Sequence, residues 1–183
     1  MYQPSPEFWI KGLQLLRDAV PGINRIDALG GAIGEADDRL PSIPGLTYQI
    51  YKIQDANNQE DLNVILSQIR EDHADALFVF PEFNVAKFEN EIGDFIRANH
   101  LPTMSQHKWL LEHGALMYYY TDVYALRRQA ATYVAKIIKG AKPGELPVEQ
   151  PSRFEFIVNL KTAREFGLTI PQSVVAFADQ VIE

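Results

Sequence analysis

The chain has 183 residues, 46% of them hydrophobic, 22% charged, with a formal net charge of −7 and no cysteine. That length allows one large domain or two small ones around a real core, and the apolar content excludes a disordered chain. Acidity without a basic cluster argues against nucleic acid as the main partner, no apolar run is long enough to span a bilayer, and the lack of cysteine removes disulfide scaffolds and thiolate chemistry.

Met1 is followed by Tyr2-Gln3-Pro4-Ser5-Pro6, with neither a basic n-region nor an apolar h-region. On this reading the chain carries no signal peptide and is cytoplasmic if Met1 is its natural start. Ser5-Pro6 reads as an N-cap with proline at the first helical position. Phe8, Trp9, Leu13, Leu16, Ala19 and Val20 then fall on one helical face up to Pro21-Gly22. Ile23 to Leu29 is a strand running into Gly30-Gly31 and Gly34, and Glu35 to Leu40 has room for a helical turn or two before Pro41.

Thr47 to Ile53 reads as a second strand, and Asn57 and Asn58 offer caps for a helix with Leu62, Ile65, Leu66 and Ile69 inward. Asp75 to Phe80 is an almost unbroken apolar run, the pattern of a central parallel strand buried on both faces. The spacing predicts a helix over Asn84 to Asn99, a strand at Leu101 to Met104, a short helix over Lys108 to Glu112 and a strand over Ala115 to Tyr119. Asp122 caps a helix reaching Gly140. A turn-rich connection leads to a sixth strand at Phe154 to Val158, a short helix over Leu160 to Phe166 and a last amphipathic helix over Pro171 to Val181.

Strands alternating with helices at this spacing imply an α/β fold, a mainly parallel sheet sandwiched by helices. Ligands of such sheets bind beyond the carboxyl ends of the strands. That rule nominates Gly30-Gly31, Pro81 to Asn84, Ser105-Gln106 and Tyr118 to Asp122.

Reaction motifs are scarce. The turn Leu29-Gly30-Gly31-Ala32-Ile33-Gly34 follows a strand but lacks the G-x-G-x-x-G order, so it reads as a tight turn that uses the positive φ open to glycine. His73, His100, His107 and His113 lack metal-ligand spacing, and no serine stands in a nucleophile elbow. Glu82 and Asp122 form a possible carboxylate pair on strand-end loops; the alternative is a solvated Glu82 and an Asp122 that caps a helix. No cofactor, metal or catalysis is expected. Alternation sets Tyr118 and Tyr120 on one face of their strand and Tyr119 on the other. The three tyrosines suit walls around an apolar ligand, core packing or an interface.

From Ala130-Ala131-Thr132-Tyr133-Val134 through Lys139-Gly140-Ala141-Lys142-Pro143 and Leu146-Pro147-Val148-Glu149-Gln150-Pro151, the sequence takes on a specific pattern. It continues with Phe156-Ile157-Val158-Asn159-Leu160-Lys161-Thr162-Ala163 and Gly167-Leu168-Thr169-Ile170-Pro171, and closes on Ala178-Asp179-Gln180-Val181-Ile182-Glu183. This resembles the carboxyl-terminal signature of the ABC-importer substrate-binding family that includes tryptophan-binding lipoproteins. Upstream, Leu13 to Gly22 and Ala74 to Pro81 also resemble family segments.

The resemblance implies a type I periplasmic-binding fold, two α/β lobes closing over a small amino-acid-like solute that is passed to an ABC permease, with no catalysis and an extracytoplasmic location. It covers the second lobe and the return segment, most of the first lobe being absent. Residues 1–120 correspond to the second, ligand-binding lobe, and 121–183 to the segment that docks on the first. With Gly31, Glu82 and Asn84 nominated by the strand-end rule and Tyr119 and Asp122 also matching the family pattern, the expected cleft residues are Gly31, Glu82, Asn84, Tyr119 and Asp122. Relatives show Ser-Tyr-Gly-x-Asp where this chain has Tyr118-Tyr119-Tyr120-Thr121-Asp122, so two bulky side chains replace small ones. Without a first lobe, Leu126, Tyr133, Ile137, Phe154 and Phe156 would expose several hundred Å² of apolar surface, more than monomers usually tolerate. These segments are expected to fold back on the lobe or to pair with a second copy. A homodimeric interaction or sensory module that binds no solute is the alternative function.

Overall fold

A computed structural model describes residues 6–30, 43–53, 58–81, 83–151 and 153–183, with the side chains of 6–8, 83 and 84 left aside. Seven strands form one sheet in the order β2-β1-β3-β4-β5-β6-β7. They are β1 Arg25–Gly30, β2 Thr47–Lys52, β3 Ala76–Val79, β4 Thr103–Ser105, β5 Met117–Thr121, β6 Phe154–Asn159 and β7 Gln180–Ile182. All neighbouring pairs are parallel except β5 and β6. The α/β class and the mainly parallel sheet therefore agree with the pattern read from the sequence. Every residue of β3 is buried, as an apolar run between two helical layers requires.

The helices are α1 Pro6–Ala19, α2 Gln59–Glu71, α3 Phe83–Lys87, α4 Glu89–Ala98, α5 Val123–Ile138, α6 Leu160–Glu165 and α7 Gln172–Phe177. One core lies between the sheet and α1 with α6 and α7, and holds Trp9, Leu13, Leu16, Ile26, Phe78 and Val174. The other lies under α2 to α4 and holds Leu29, Leu62, Ile69, Leu77, Ile92 and Ile96. Gly12 lets α1 approach the sheet, since a Cβ there would stand 2.9 Å from the Phe78 ring. Asn58 caps α2, its Oδ1 accepting from the amides of Glu60 at 2.9 Å and Asp61 at 3.0 Å.

Three boundaries differ from the sequence reading. The helix expected over Asn84 to Asn99 is broken at Phe88, whose φ of −120° and ψ of 33° leave the helical region while its ring stays buried. The fifth strand begins at Met117 and runs on to Thr121. The last helix stops at Phe177, and Gln180–Ile182 becomes a strand along β6. Asp179 makes that switch: its carboxylate accepts from the Phe156 amide, and its own amide donates to the Phe156 carbonyl, both at 2.8 Å. An otherwise open sheet edge is thereby covered. The helical turn expected over Glu35 to Leu40 lies outside the described residues.

Residues 154–182 join the same sheet and the same cores as the preceding strands, with Phe156 buried against the first core. By contrast, α5 runs for 16 residues, about 24 Å at 1.5 Å per residue, and buries none of them. It forms an arm with the connection that follows, where the Tyr133 hydroxyl donates to the Pro147 carbonyl at 2.7 Å. Among the described residues no helix is long and apolar enough to cross a membrane.

Candidate functional site

The carboxyl ends of β1, β3, β4 and β5 lie side by side, because these strands are parallel and successive in the sheet. At the end of β1, a Cβ on Gly30 would stand 2.6 Å from the Phe80 Cβ. Close approach therefore demands this glycine, which is not among the positive-φ glycines; Gly31 and Gly34 of the same turn lie outside the described residues. Phe80 packs edge-on against Trp9 at 4.5 Å and Phe78 at 5.1 Å between ring centroids.

The end of β4 is folded back by Ser105. Its Oγ accepts from the His107 amide at 2.9 Å and donates to the His107 carbonyl at 3.1 Å, a local side-chain turn that ends the strand. Gln106 is thereby held at the edge, its amide bonded to the Val79 carbonyl at 3.0 Å. The residue is 3% exposed, and among the described residues neither Oε1 nor Nε2 has a hydrogen-bond partner. Such a group normally costs free energy and asks for an explanation. Thr121, at the end of β5, is 2% exposed and its Oγ1 is likewise unpartnered.

Among the described residues, two ion pairs stand at this edge. Asp122 caps α5 through Oδ1, which accepts from the Ala125 amide at 2.9 Å, and Oδ2 lies 3.6 Å from Arg153 Nε. The Ala125 amide, followed by Arg153, holds the Asp122 carboxyl below its ordinary range. Lys108 Nζ meets Glu155 Oε1 at 2.6 Å.

The expected alternation of the tyrosines is present. Tyr118 and Tyr120 belong to the core under α2 to α4, and Tyr119 packs on the α1 side against Phe154 and Phe156. Burial lifts the hydroxyls of Tyr118 and Tyr119 above the usual phenol range. Of the five cleft residues named from the sequence, Gly31 and Glu82 lie outside the described residues, and Asn84 is placed in α3 by its backbone alone. Tyr119 lines a groove of about 580 Å³ between α1 and α7, with Lys11, Leu15, Phe156 and Phe177. Asp122 sits at the edge as a cap. Gln106 was nominated by its place after a strand, but nothing in the sequence marks its amide as unpaired.

The model of the family described as ABC transporter substrate binding protein matches residues 46–182. The chain belongs to this family. Similar solved structures include an ABC domain in complex with L-Trp from Streptococcus pneumoniae, 23% identical with a TM-score of 0.79, covering 93% of this chain and 60% of that one. A conserved domain protein from Vibrio cholerae is 22% identical with a TM-score of 0.79, covering 93% and 59%. A ligand-free, open substrate binding protein with adhesive properties from Clostridium difficile is 19% identical with a TM-score of 0.67, covering 94% and 59%. The family member described here thus shares their fold and spans about 60% of their length. No curated protein matches it.

Proposed function

We propose that this family member supplies the second lobe and return arm of the solute-capturing component of an ABC importer, outside the cytoplasm. It holds a small amino-acid-like solute at the carboxyl edge of the sheet, against a first lobe, and delivers it to a permease. The observation that carries this reading is the arm. No residue of helix α5 is fully buried, and Val134, Ile137 and Ile138 are 56%, 41% and 80% exposed. An apolar stripe at this spacing on a projecting helix suits a surface made to be covered. Family membership and the strand-end location support the solute, and no catalytic step is assigned.

A thermal-shift screen of the full chain with amino acids and aromatic amines tests the reading. A solute at 100 times its Kd is expected to add about 2.7 kcal/mol of stability; no shift with any solute would overturn it. The same stripe supports a second reading, a homodimeric interaction or sensory module. That reading requires a dimer by light scattering that dissociates in Ile137→Glu, together with silence in the solute screen.

A further inference from the structure

We propose that the solute carries a hydrogen-bond donor and acceptor side by side, an amide-type edge, and that Gln106 and Thr121 grip it. This rests on the solute-binding reading and specifies the class of solute. The register pairs Ser105 with Tyr118, which sets Gln106 level with Tyr119 and two residues short of Thr121 across adjacent strands. Two buried side chains at the strand-end edge thus carry polar atoms without partners among the described residues: both ends of one amide and one hydroxyl.

The chemistry of an amide decides what satisfies it. Gln106 offers an acceptor oxygen and a donor nitrogen a short distance apart. A carboxylate satisfies only the nitrogen and sets its charge against the bare Oε1. An ammonium satisfies only the oxygen and crowds the NH2. A carboxamide, a lactam or the edge of a nucleobase satisfies both at once in a paired ring, as glutamine does when it reads adenine. The Thr121 hydroxyl, able to donate or accept, takes a third bond.

Charge at the edge points the same way. Asp122 is committed to the Ala125 amide and Arg153, and Lys108 to Glu155. These pairs leave the Gln106 amide and the Thr121 hydroxyl to read an uncharged part of the solute. Leaving one end of the buried amide unsatisfied is a cost on the scale of a tenfold to hundredfold change in affinity, so discrimination against the carboxylate counterpart is expected to be at least about tenfold.

The test uses the full chain with matched probes: glutamine against glutamate, nicotinamide against nicotinate, and uracil as the cyclic arm. Calorimetry and thermal shift are expected to show binding by at least one amide-bearing probe and at least about tenfold weaker binding by its acidic counterpart. Open-chain amides and uracil separate a carboxamide solute from a nucleobase. Gln106→Leu is expected to remove the response while leaving the melting temperature of the free protein unchanged or higher, because it deletes an unpaired amide. A several-degree loss in free Gln106→Leu would mean that the amide has a structural partner, and would overturn the inference. Binding of amino acids or carboxylates with none of the amide probes would overturn the solute class and leave solute capture standing. Silence from every probe and every amino acid would overturn both.

Discussion

Asp27 stands in the middle of β1 with no exposed surface, and its nearest cation, Arg25 Nε, is 3.4 Å away. Arg25 also donates to Asp72, which in turn accepts from the Tyr51 hydroxyl, so one guanidinium is divided between two carboxylates. Burial pushes the Asp27 carboxyl up to about 6 from 3.8, and the attraction of Arg25 only partly offsets it. A raised pKa means that the fold prefers the protonated form. Its stabilising contribution is complete below about pH 4 and is lost as pH rises through about 6. Asp27→Asn is therefore expected to be more stable than the parent at pH 7 by about 1–3 kcal/mol. In urea unfolding the difference should vanish toward pH 4, whereas a variant weaker than the parent at pH 7 would show that the ion pair with Arg25 outweighs burial. The acidic residue was visible in the strand, but its burial was not, because a single Asp in an apolar run is equally consistent with a strand end.

At the scale of elements, the ambiguous stretch is Val174 to Ile182. Its apolar residues fit a longer helix as well as they fit a short strand, and periodicity over so few residues cannot decide. The decision belongs to β6, whose outer edge needs partners for its backbone groups. Asp179 supplies the first two. Asp179→Ala is expected to cost about 1.5–3 kcal/mol, the value of a hydrogen bond to a charged acceptor. Amide exchange at Gln180–Ile182 should quicken well before that of β1 or β3, and unchanged protection there would refute the pinning role. The break at Phe88 has a similar origin: the inward pattern Val85, Phe88, Ile92 was legible, while the change of direction between α3 and α4 came from packing. Asp122 illustrates the opposite case. Its capping role was read directly from its place before the helix, and the structure adds that both of its oxygens are engaged.

For the whole molecule, the contrast lies between a sheet with two filled cores and an arm with none. Residues 139–151 return along α5, with anchors from Tyr133 to Pro147 and from Gln129 to Glu149. Local opening is easiest where buried contacts are fewest. Limited trypsin treatment of the chain is expected to cut first after Lys139, since the bond after Lys142 is protected by Pro143, and a polypeptide supplying the first lobe should protect this site. Initial cleavage within α2 or α4 would contradict the picture of a firm lobe bearing a loose arm.

The sequence by itself determined the alternation of strands and helices, the mainly parallel sheet, the edge on which its strands end and the family resemblance, since these depend on local periodicity and on residue order. Tertiary structure alone decided that β6 pairs with β5, that a seventh strand follows, and that Asp122 and Lys108 are occupied while Gln106 is not. Partnership of a polar group is a property of what surrounds it, and those surroundings come from residues far apart along the chain.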